Sequence, residues 1–274
     1  MNQNLSTMEY EAFCDFLKES CGINLGTNKH YLVKSRLNKL LAENKIDSIG
    51  DLLRRMEVKN NFQLKDLIID AMTTNETFWF RDNYPFEALK CIAFPRISER
   101  NPDQIRIWST ACATGQEPYS ISIVSEEFYT RKLASPKVQI LATDISPTSL
   151  QIAQIGQYDK KSLIRGMSKE RQDKYFVQDE ELWTVNNKIK SRIQFRLMNL
   201  LNSYSTLGRF DVIFCRNVLI YFAPDLKKNI TDRMIEALAP NGYLFLGSSE
   251  TVQCNDNKLK MIKSEYGIFY QLQS

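Results

Sequence analysis

The sequence predicts an α/β protein: a mostly parallel sheet covered by helices, an all-helical region before it and a small antiparallel β insert inside it. Three observations carry this reading. From Tyr84 onward, strand-like and helix-like stretches alternate, which implies a parallel sheet flanked by helices. Residues 105–119, IRIWSTACATGQEPY, run from a β-forming stretch through small residues to a helix start marked by Pro118. Residues 1–73 show only helical spacings.

The N-terminal region opens with Ser6-x-x-Glu9, a capping-box pattern. Tyr10, Phe13 and Leu17 follow at helical spacing, and Gly22 is a stop signal. A second helix is expected from about Asn28 to Asn44, with Val33, Leu37, Leu40 and Leu41 as its buried stripe. Lys29, Lys34, Arg36 and Lys39 give it a basic face, with no acidic residue before Glu43. Such a face is either solvated surface or a docking face for an acidic protein. Ser48-x-x-Asp51 starts a third helix, and Leu64–Met72 reads as a fourth.

Residues 73–82, TTNETFWFRD, break the helical pattern, because threonine and asparagine compete with a helix for backbone hydrogen bonds. Three adjacent aromatics in a linker are expected to pack on the next domain. A helix then runs from Pro85 to Ser98, strand Gln104–Ser109 follows, bounded upstream by Asn101-Pro102-Asp103, and helix Pro118–Lys132 comes next.

The small residues from Ser109 to Gly115 let a ligand approach the backbone, and a helix N-terminus offers free N–H groups. The loop carries Glu117 and no Lys or Arg, so it suits a ligand with a positive group better than a pyrophosphate. Neither G-x-x-x-x-G-K-[ST] nor G-x-G-x-x-G is present. Strand Val138–Thr143 ends at Asp144, placed to accept hydrogen bonds from both hydroxyls of a ribose, and Ser146-Pro147 caps another helix.

Residues 171–196 interrupt the alternation. Tyr175–Val177 and Leu182–Val185 are expected to form an antiparallel insert that Ile193–Leu197 can join, with an edge open to a partner's strand. Strand Phe210–Cys215 leads into Arg216-Asn217, and helix Pro224–Leu238 follows. A turn at Pro240-Asn241-Gly242 precedes strand Tyr243–Gly247, and strand Tyr266–Leu272 closes the chain.

With 274 residues there is room for one α/β domain and a smaller module. No apolar run approaches the roughly 20 residues of a membrane span, and the polar start is no signal peptide. A net charge of +4 allows an acidic partner without demanding nucleic acid. The six cysteines (14, 21, 91, 112, 215 and 254) include no C-x-x-C pair, which points to reduced thiols in a cytoplasmic protein and to no metal site. The single histidine, His30, makes a histidine general base unsuited to this chain.

Six stretches together resemble the chemoreceptor glutamate methyltransferases of bacterial chemotaxis, the CheR family. They are TTNETFWFRD, ACATGQEPYS, the ATD at 142–144, MNLL at 198–201, FCRNVLIYF at 214–222 and PNGYLFLGSSE at 240–250. They stand in family order, and the helical N-terminal region resembles the family's more loosely. One departure is TGQE where TGEE is common in the family.

The resemblance implies a Rossmann-like class I methyltransferase sheet and S-adenosyl-L-methionine as cofactor, with S-adenosyl-L-homocysteine as product. It implies a helical domain at 1–73, a linker at 74–90 packing over the cofactor and a methyltransferase domain at 91–274 with its β insert at about 171–196. Glu117 then suits the cofactor's ammonium, Asp144 its ribose, and Asn199 with the backbone at Leu200 its adenine edge. Asn75, Thr77 and Arg81 match linker positions over the methionine moiety, and Arg216 and Asn217 match positions beside the cofactor. Arg81 and Tyr221 are the expected catalytic residues, Arg81 pairing with a carboxylate of cofactor or substrate and Tyr221 orienting the acceptor. Lys34, Arg36 and Lys39 are the expected contacts to the substrate.

The implied substrate is a glutamate on the cytoplasmic helical domain of a membrane chemoreceptor, with the enzyme a monomer that binds no nucleic acid. A non-catalytic cofactor-binding adaptor and an RNA methyltransferase are the alternatives, the second suggested by the basic helix. Cys112 and Cys215 are expected near the cleft as small core residues.

Overall fold

A computed structural model describes residues 5–57, 61–101, 103–130, 135–252 and 258–273. Pro102 before the first strand, the expected helix end at Lys132 and Cys254 lie outside the described residues.

Four helices form the N-terminal domain: α1 (Thr7–Cys21), α2 (His30–Glu43), α3 (Ile49–Glu57) and α4 (Phe62–Met72). The capping box is complete. Ser6 Oγ accepts from the Glu9 N–H at 3.2 Å, and Glu9 Oε2 accepts from the Ser6 N–H at 3.0 Å. Gly22 ends α1 in the left-handed region (φ 79°). A Cβ there would meet Leu226 of the second domain at 2.7 Å, so glycine serves both the turn and the domain contact. Tyr10, Phe13, Leu17, Val33, Leu37, Leu40, Leu52, Ile68 and Met72 make one core, with Leu41 half-buried at its edge. Ser48 Oγ accepts from the Asp51 N–H at 3.1 Å, starting α3 where expected.

The linker packs down on the second domain. Trp79 is fully buried, edge-on to Tyr158 and Phe176 with ring centroids 5.0 and 5.2 Å away. The backbone N–H of Trp79 donates to Arg165 O, and that of Phe80 donates to Ser120 Oγ at 3.1 Å. A Cβ at Gly166 would stand 2.0 Å from Trp79 O, so only glycine lets the insert approach so closely.

The expected helix from Pro85 to Ser98 is present as α5 (Tyr84–Ala88) and α6 (Phe94–Arg100), joined by a π turn over Leu89–Ala93. Pro95 has no N–H for the preceding turn, and the ladder slips to Phe94 N–H to Leu89 O. Then come β1 (Gln104–Ser109), α7 (Gln116–Tyr129), β2 (Lys137–Asp144) and α8 (Pro147–Ile155). Next are β3 (Gln157–Asp159), α9 (Lys160–Ile164), α10 (Lys169–Tyr175), β4 (Phe176–Asp179), β5 (Leu182–Val185), α11 (Asn187–Lys190) and β6 (Ile193–Leu197). The chain finishes with β7 (Phe210–Cys215), α12 (Pro224–Glu236), β8 (Leu238–Leu246), β9 (Leu259–Ser264) and β10 (Gly267–Leu272).

The main sheet has the order β6-β2-β1-β7-β8-β10-β9. The first five strands are parallel; β10 runs antiparallel to β8, and β9 to β10. From β1 the chain builds outward through β2 to β6, then returns to β7 on the other side. That reversal opens a crevice at the carboxyl ends of β1, β2 and β7. Buried residues fill both faces of the sheet.

The structure corrects the expected insert. Ile193–Leu197 is not part of it: β6 is the parallel edge of the main sheet, Ile140 opposite Ile193 through Asp144 opposite Leu197. The second sheet has the order β3-β5-β4, so it begins at Gln157 instead of 171. Alternating Ile193-Gln194-Phe195-Arg196 reads the same whichever sheet it joins, and three residues of β3 are too few to show a period. Strand β8 starts at Leu238, with Pro240-Asn241-Gly242 forming an irregularity inside it as the pairing shifts between Phe210 and Val212. Strand β9 and the short helices α9, α10 and α11 lie outside the sequence expectation, though Asp159, Ser168 and Asn186 cap the three helices. No helix among the described residues is long and apolar enough to cross a membrane.

Candidate functional site

A cleft lies over the carboxyl ends of β1, β2 and β7, roofed by the linker and by the loop between α1 and α2. Its empty space, open mouth included, is about 1330 Å³. Asn75, Thr77, Arg81, Glu117, Asp144, Asn199, Leu200, Arg216, Asn217 and Tyr221 all line it, so the structure brings every expected cleft residue together.

Glu117 stands in the first turn of α7, after Gly115 (φ 97°). Its Oε1 accepts from Ser109 Oγ at 2.7 Å and its Oε2 from Arg216 Nη1 at 2.9 Å. The carboxylate is therefore not bare, as the loop sequence alone suggested. Arg216, with a side chain 1% exposed, also donates through Nη2 to Asp82 Oδ2 and Arg81 O, both at 2.7 Å. It ties the end of β7 to the loop after β1 and to the linker. Phe80, Asp82 and Asn83 all have positive φ, so the linker crosses the site in an unfavourable backbone conformation that these contacts hold.

Asp144 is buried at the end of β2. Its Oδ2 accepts from the Ala113 N–H at 2.7 Å and its Oδ1 from the Ser146 N–H at 2.9 Å. Burial raises its pKa, helped by the charge of Asp70 and opposed by the backbone N–H groups. A carboxylate has about four lone-pair sites, so each oxygen can still accept from a diol. Ser146 Oγ donates to Asp70 at the end of α4, and Asn75 Nδ2 reaches Ser146 Oγ at 3.4 Å. The helical domain thus buttresses the loop that carries Asp144.

Asn199 spends one amide N–H on Ser20 O (2.7 Å), while its Oδ1 accepts from the Leu201 N–H (2.9 Å). It clamps the end of α1 to the second domain. The Leu200 carbonyl accepts from Tyr204 OH (2.7 Å) and Arg233 Nη2 (2.8 Å), which fills its lone pairs. Tyr221 lines the cleft instead of packing under the sheet, and its carbonyl accepts from the Asn24 N–H at 2.9 Å. Arg81 Nη1 donates to Glu76 O at 3.1 Å, with the guanidinium 5.6 Å from the Phe78 ring.

The basic face of α2 divides. Arg36 does not point outward as Lys39 does, and Lys29 lines the cleft with it. Arg36 donates to Met72 O, Thr73 O and Thr74 Oγ1, capping the carbonyl end of α4. Lys39 is exposed beside Glu43 at 3.7 Å, and Lys34 is half-buried; neither lines the cleft. His30 stacks on Tyr10 with centroids 3.8 Å apart, away from the cleft. Burial pushes the thiols of Cys112 and Cys215 up, as suits inert core cysteines.

Two residues absent from the sequence reading matter here. Asp82 completes the arginine clasp, and Glu250 holds the loop after β7. Each stands in a stretch already singled out, TTNETFWFRD and PNGYLFLGSSE, but nothing local separates them from other surface acids.

The donor set fits a nucleoside carrying an amino acid. Arg216 Nε and Thr110 Oγ1 are buried with no hydrogen-bond partner, and both residues line the cleft. The pair Arg216 and Glu117 offers one charge of each sign, as a zwitterionic head requires.

Residues 75–268 match the family described as CheR methyltransferase, SAM binding domain, and residues 8–73 match CheR methyltransferase, all-alpha domain. The chemotaxis protein methyltransferase Cher2 of Pseudomonas putida is 47% identical, covering 96% of this chain and 98% of its own. Chemotaxis protein methyltransferase 1 of Pseudomonas aeruginosa is 47% identical over 96% and 97%, and that of Vibrio cholerae 44% over 98% of each. Among solved structures, magnesium protoporphyrin IX methyltransferase (ChlM) from Synechocystis PCC 6803 with bound SAM aligns at TM-score 0.40 and 14% identity, covering 92% of this chain and 100% of that one. A likeness that loose adds nothing to the assignment.

Proposed function

The chain belongs to the CheR methyltransferase family, and on that premise we propose that it esterifies glutamate side chains on chemotaxis receptors and so sets sensory adaptation. It is an S-adenosylmethionine-dependent methyltransferase. The observation that carries the proposal is the arginine clasp: Arg216 joins Glu117 to Asp82 and thereby holds the linker over the crevice.

S-adenosylmethionine, when bound, supplies an electrophilic methyl group on a sulfonium. Asp144 would hold the ribose, Glu117 with Arg216 the amino acid head, and Asn75, Thr77 and Asn217 the surrounding wall. The Asn199–Leu200 turn would shape the adenine end.

A glutamate carboxylate has a pKa near 4.3 and is already ionised at neutral pH, so it needs no base to attack a methyl group. What the chain must supply is alignment and exclusion of water, since water stabilises separated charges better than a transition state in which they cancel. Leu25, Leu32, Met72, Ile145 and Phe222 give the cleft an apolar lining for that purpose. Arg81 would meet a carboxylate at the mouth, and Tyr221 would orient the acceptor. Exposed Lys39, with Lys34 on the same helix, would face the helical cytoplasmic domain of the receptor, with the enzyme acting as a cytoplasmic monomer.

Incubation of a purified receptor cytoplasmic domain with this chain and methyl-labelled cofactor tests the reading by peptide mass spectrometry. Label is expected on glutamate side chains as an ester. A receptor that stays unlabelled while the chain binds S-adenosylhomocysteine would refute it.

A further inference from the structure

The loop after β7 carries Arg216, Asn217 and Tyr221 into the cleft, and a single side chain from the loop after β8 accepts three of its backbone N–H groups. Glu250 is 8% exposed, and its carboxylate accepts four backbone N–H groups. Oε2 takes Asn217 N–H at 2.7 Å and Gly247 N–H at 2.8 Å. Oε1 takes Val218 N–H at 3.0 Å and Ile220 N–H at 3.2 Å. Four donors match the four lone-pair sites of a carboxylate. The Glu250 N–H closes the turn onto Gly247 O at 2.9 Å.

The surroundings are fitted to this clasp. A Cβ at Gly247 would stand 2.6 Å from Glu250 Oε2 and 3.0 Å from the Asn217 N. Asn217 itself has φ 57°, a conformation that needs holding. Three of the four donors lie in residues 217–220, immediately before Tyr221, so the carboxylate sets the path of the backbone that delivers that ring.

We propose that Glu250 is a positioning residue for methyl transfer: its carboxylate fixes the 216–221 loop so that Tyr221 presents the acceptor in line with the donor. The proposal rests on the methyltransferase reading above. Glu250 touches neither substrate nor cofactor in this account and acts through the loop.

Glu250→Gln keeps the shape but turns an amide N–H toward backbone donors, which opens at least one of the four bonds. Gly247→Ala keeps the carboxylate chemically intact but displaces it sterically. Each variant is assayed for S-adenosylhomocysteine affinity and stoichiometry by calorimetry, then for turnover per binding site on receptor. The expected result in either variant is near-unit stoichiometry, a kcat at least about tenfold lower, and Kd and receptor KM within about threefold of wild type.

Normalising to binding sites removes loss of folded protein from the comparison, and Gly247→Ala decides if Glu250→Gln fails to fold. Turnover within about threefold of wild type in a folded variant overturns the proposal. So does a fall in turnover that only tracks weaker cofactor binding. Wild type is the control: no transfer by wild type would refute the methyltransferase reading itself, not the role of Glu250.

Discussion

Arg216 Nη1 lies 2.9 Å from Glu117 Oε2 inside the cleft, a pair joining the residue after β7 to the first turn of α7. The same guanidinium holds Asp82 of the linker. Arg216→Ala would leave two part-buried carboxylates facing each other. Removing one partner of a buried pair typically costs about 3–5 kcal/mol, and the exposure of Asp82 places the expected loss at the low end, about 3 kcal/mol by urea denaturation. An unchanged midpoint would show that the linker is held elsewhere.

Glu117→Ala and Asp144→Ala should each weaken S-adenosylhomocysteine binding at least tenfold, about 1.4 kcal/mol. Calorimetry reads this directly. Unchanged affinity in either variant would remove that carboxylate from the ligand site.

Arg81 should matter for transfer and little for folding. Its guanidinium donates to Glu76 O and stands over Phe78 at the rim. Arg81→Ala is expected to lower the melting temperature by no more than about 2 °C, a surface-sized effect, while abolishing transfer of labelled methyl. Near-normal turnover would take Arg81 out of the chemistry.

Arg36 and Lys39 should separate. Lys39→Glu is expected to raise receptor KM several-fold with cofactor affinity unchanged, because Lys39 is exposed and outside the cleft. Arg36→Glu should instead destabilise the fold, since it removes three hydrogen bonds at the end of α4. Equal effects of the two on receptor KM, with stability intact in both, would restore Arg36 to the docking face.

Glu126 sets an acid limit on stability. Burial alone would raise its pKa, but hydrogen bonds from Lys188, Thr130 and Arg192 outweigh it and hold the carboxyl at about 2, against an ordinary 4.5. A lowered folded pKa contributes stability above the unfolded value, and that contribution is lost as pH falls from about 4.5 toward 2. With Lys188 largely exposed, roughly 2 kcal/mol is expected from it at neutral pH. Glu126→Gln should lower the urea midpoint at pH 7 and flatten its decline below pH 4.5. A parallel decline in wild type and variant would place the acid sensitivity elsewhere.

By itself the sequence determined most of the longer elements and, with the family resemblance, the residues of the cleft. Capping at Ser6 and Ser146, the stop at Gly22 and the periodicity of α1 and α2 are local properties, written within a few residues. Of the ten cleft residues, Glu117 and Asp144 were legible from their place in a small-residue loop and at a strand's end; the others were legible through the resemblance to the CheR family. Only the tertiary structure decided the rest. It placed Ile193–Leu197 in the main sheet, turned Arg36 inward, joined Arg216 to Glu117 and set Glu250 beneath the loop after β7. The reason is physical. A strand's pattern records that one face is buried but not which neighbour it pairs with, and a charge carries no mark of a partner a hundred residues away until folding removes the water between them.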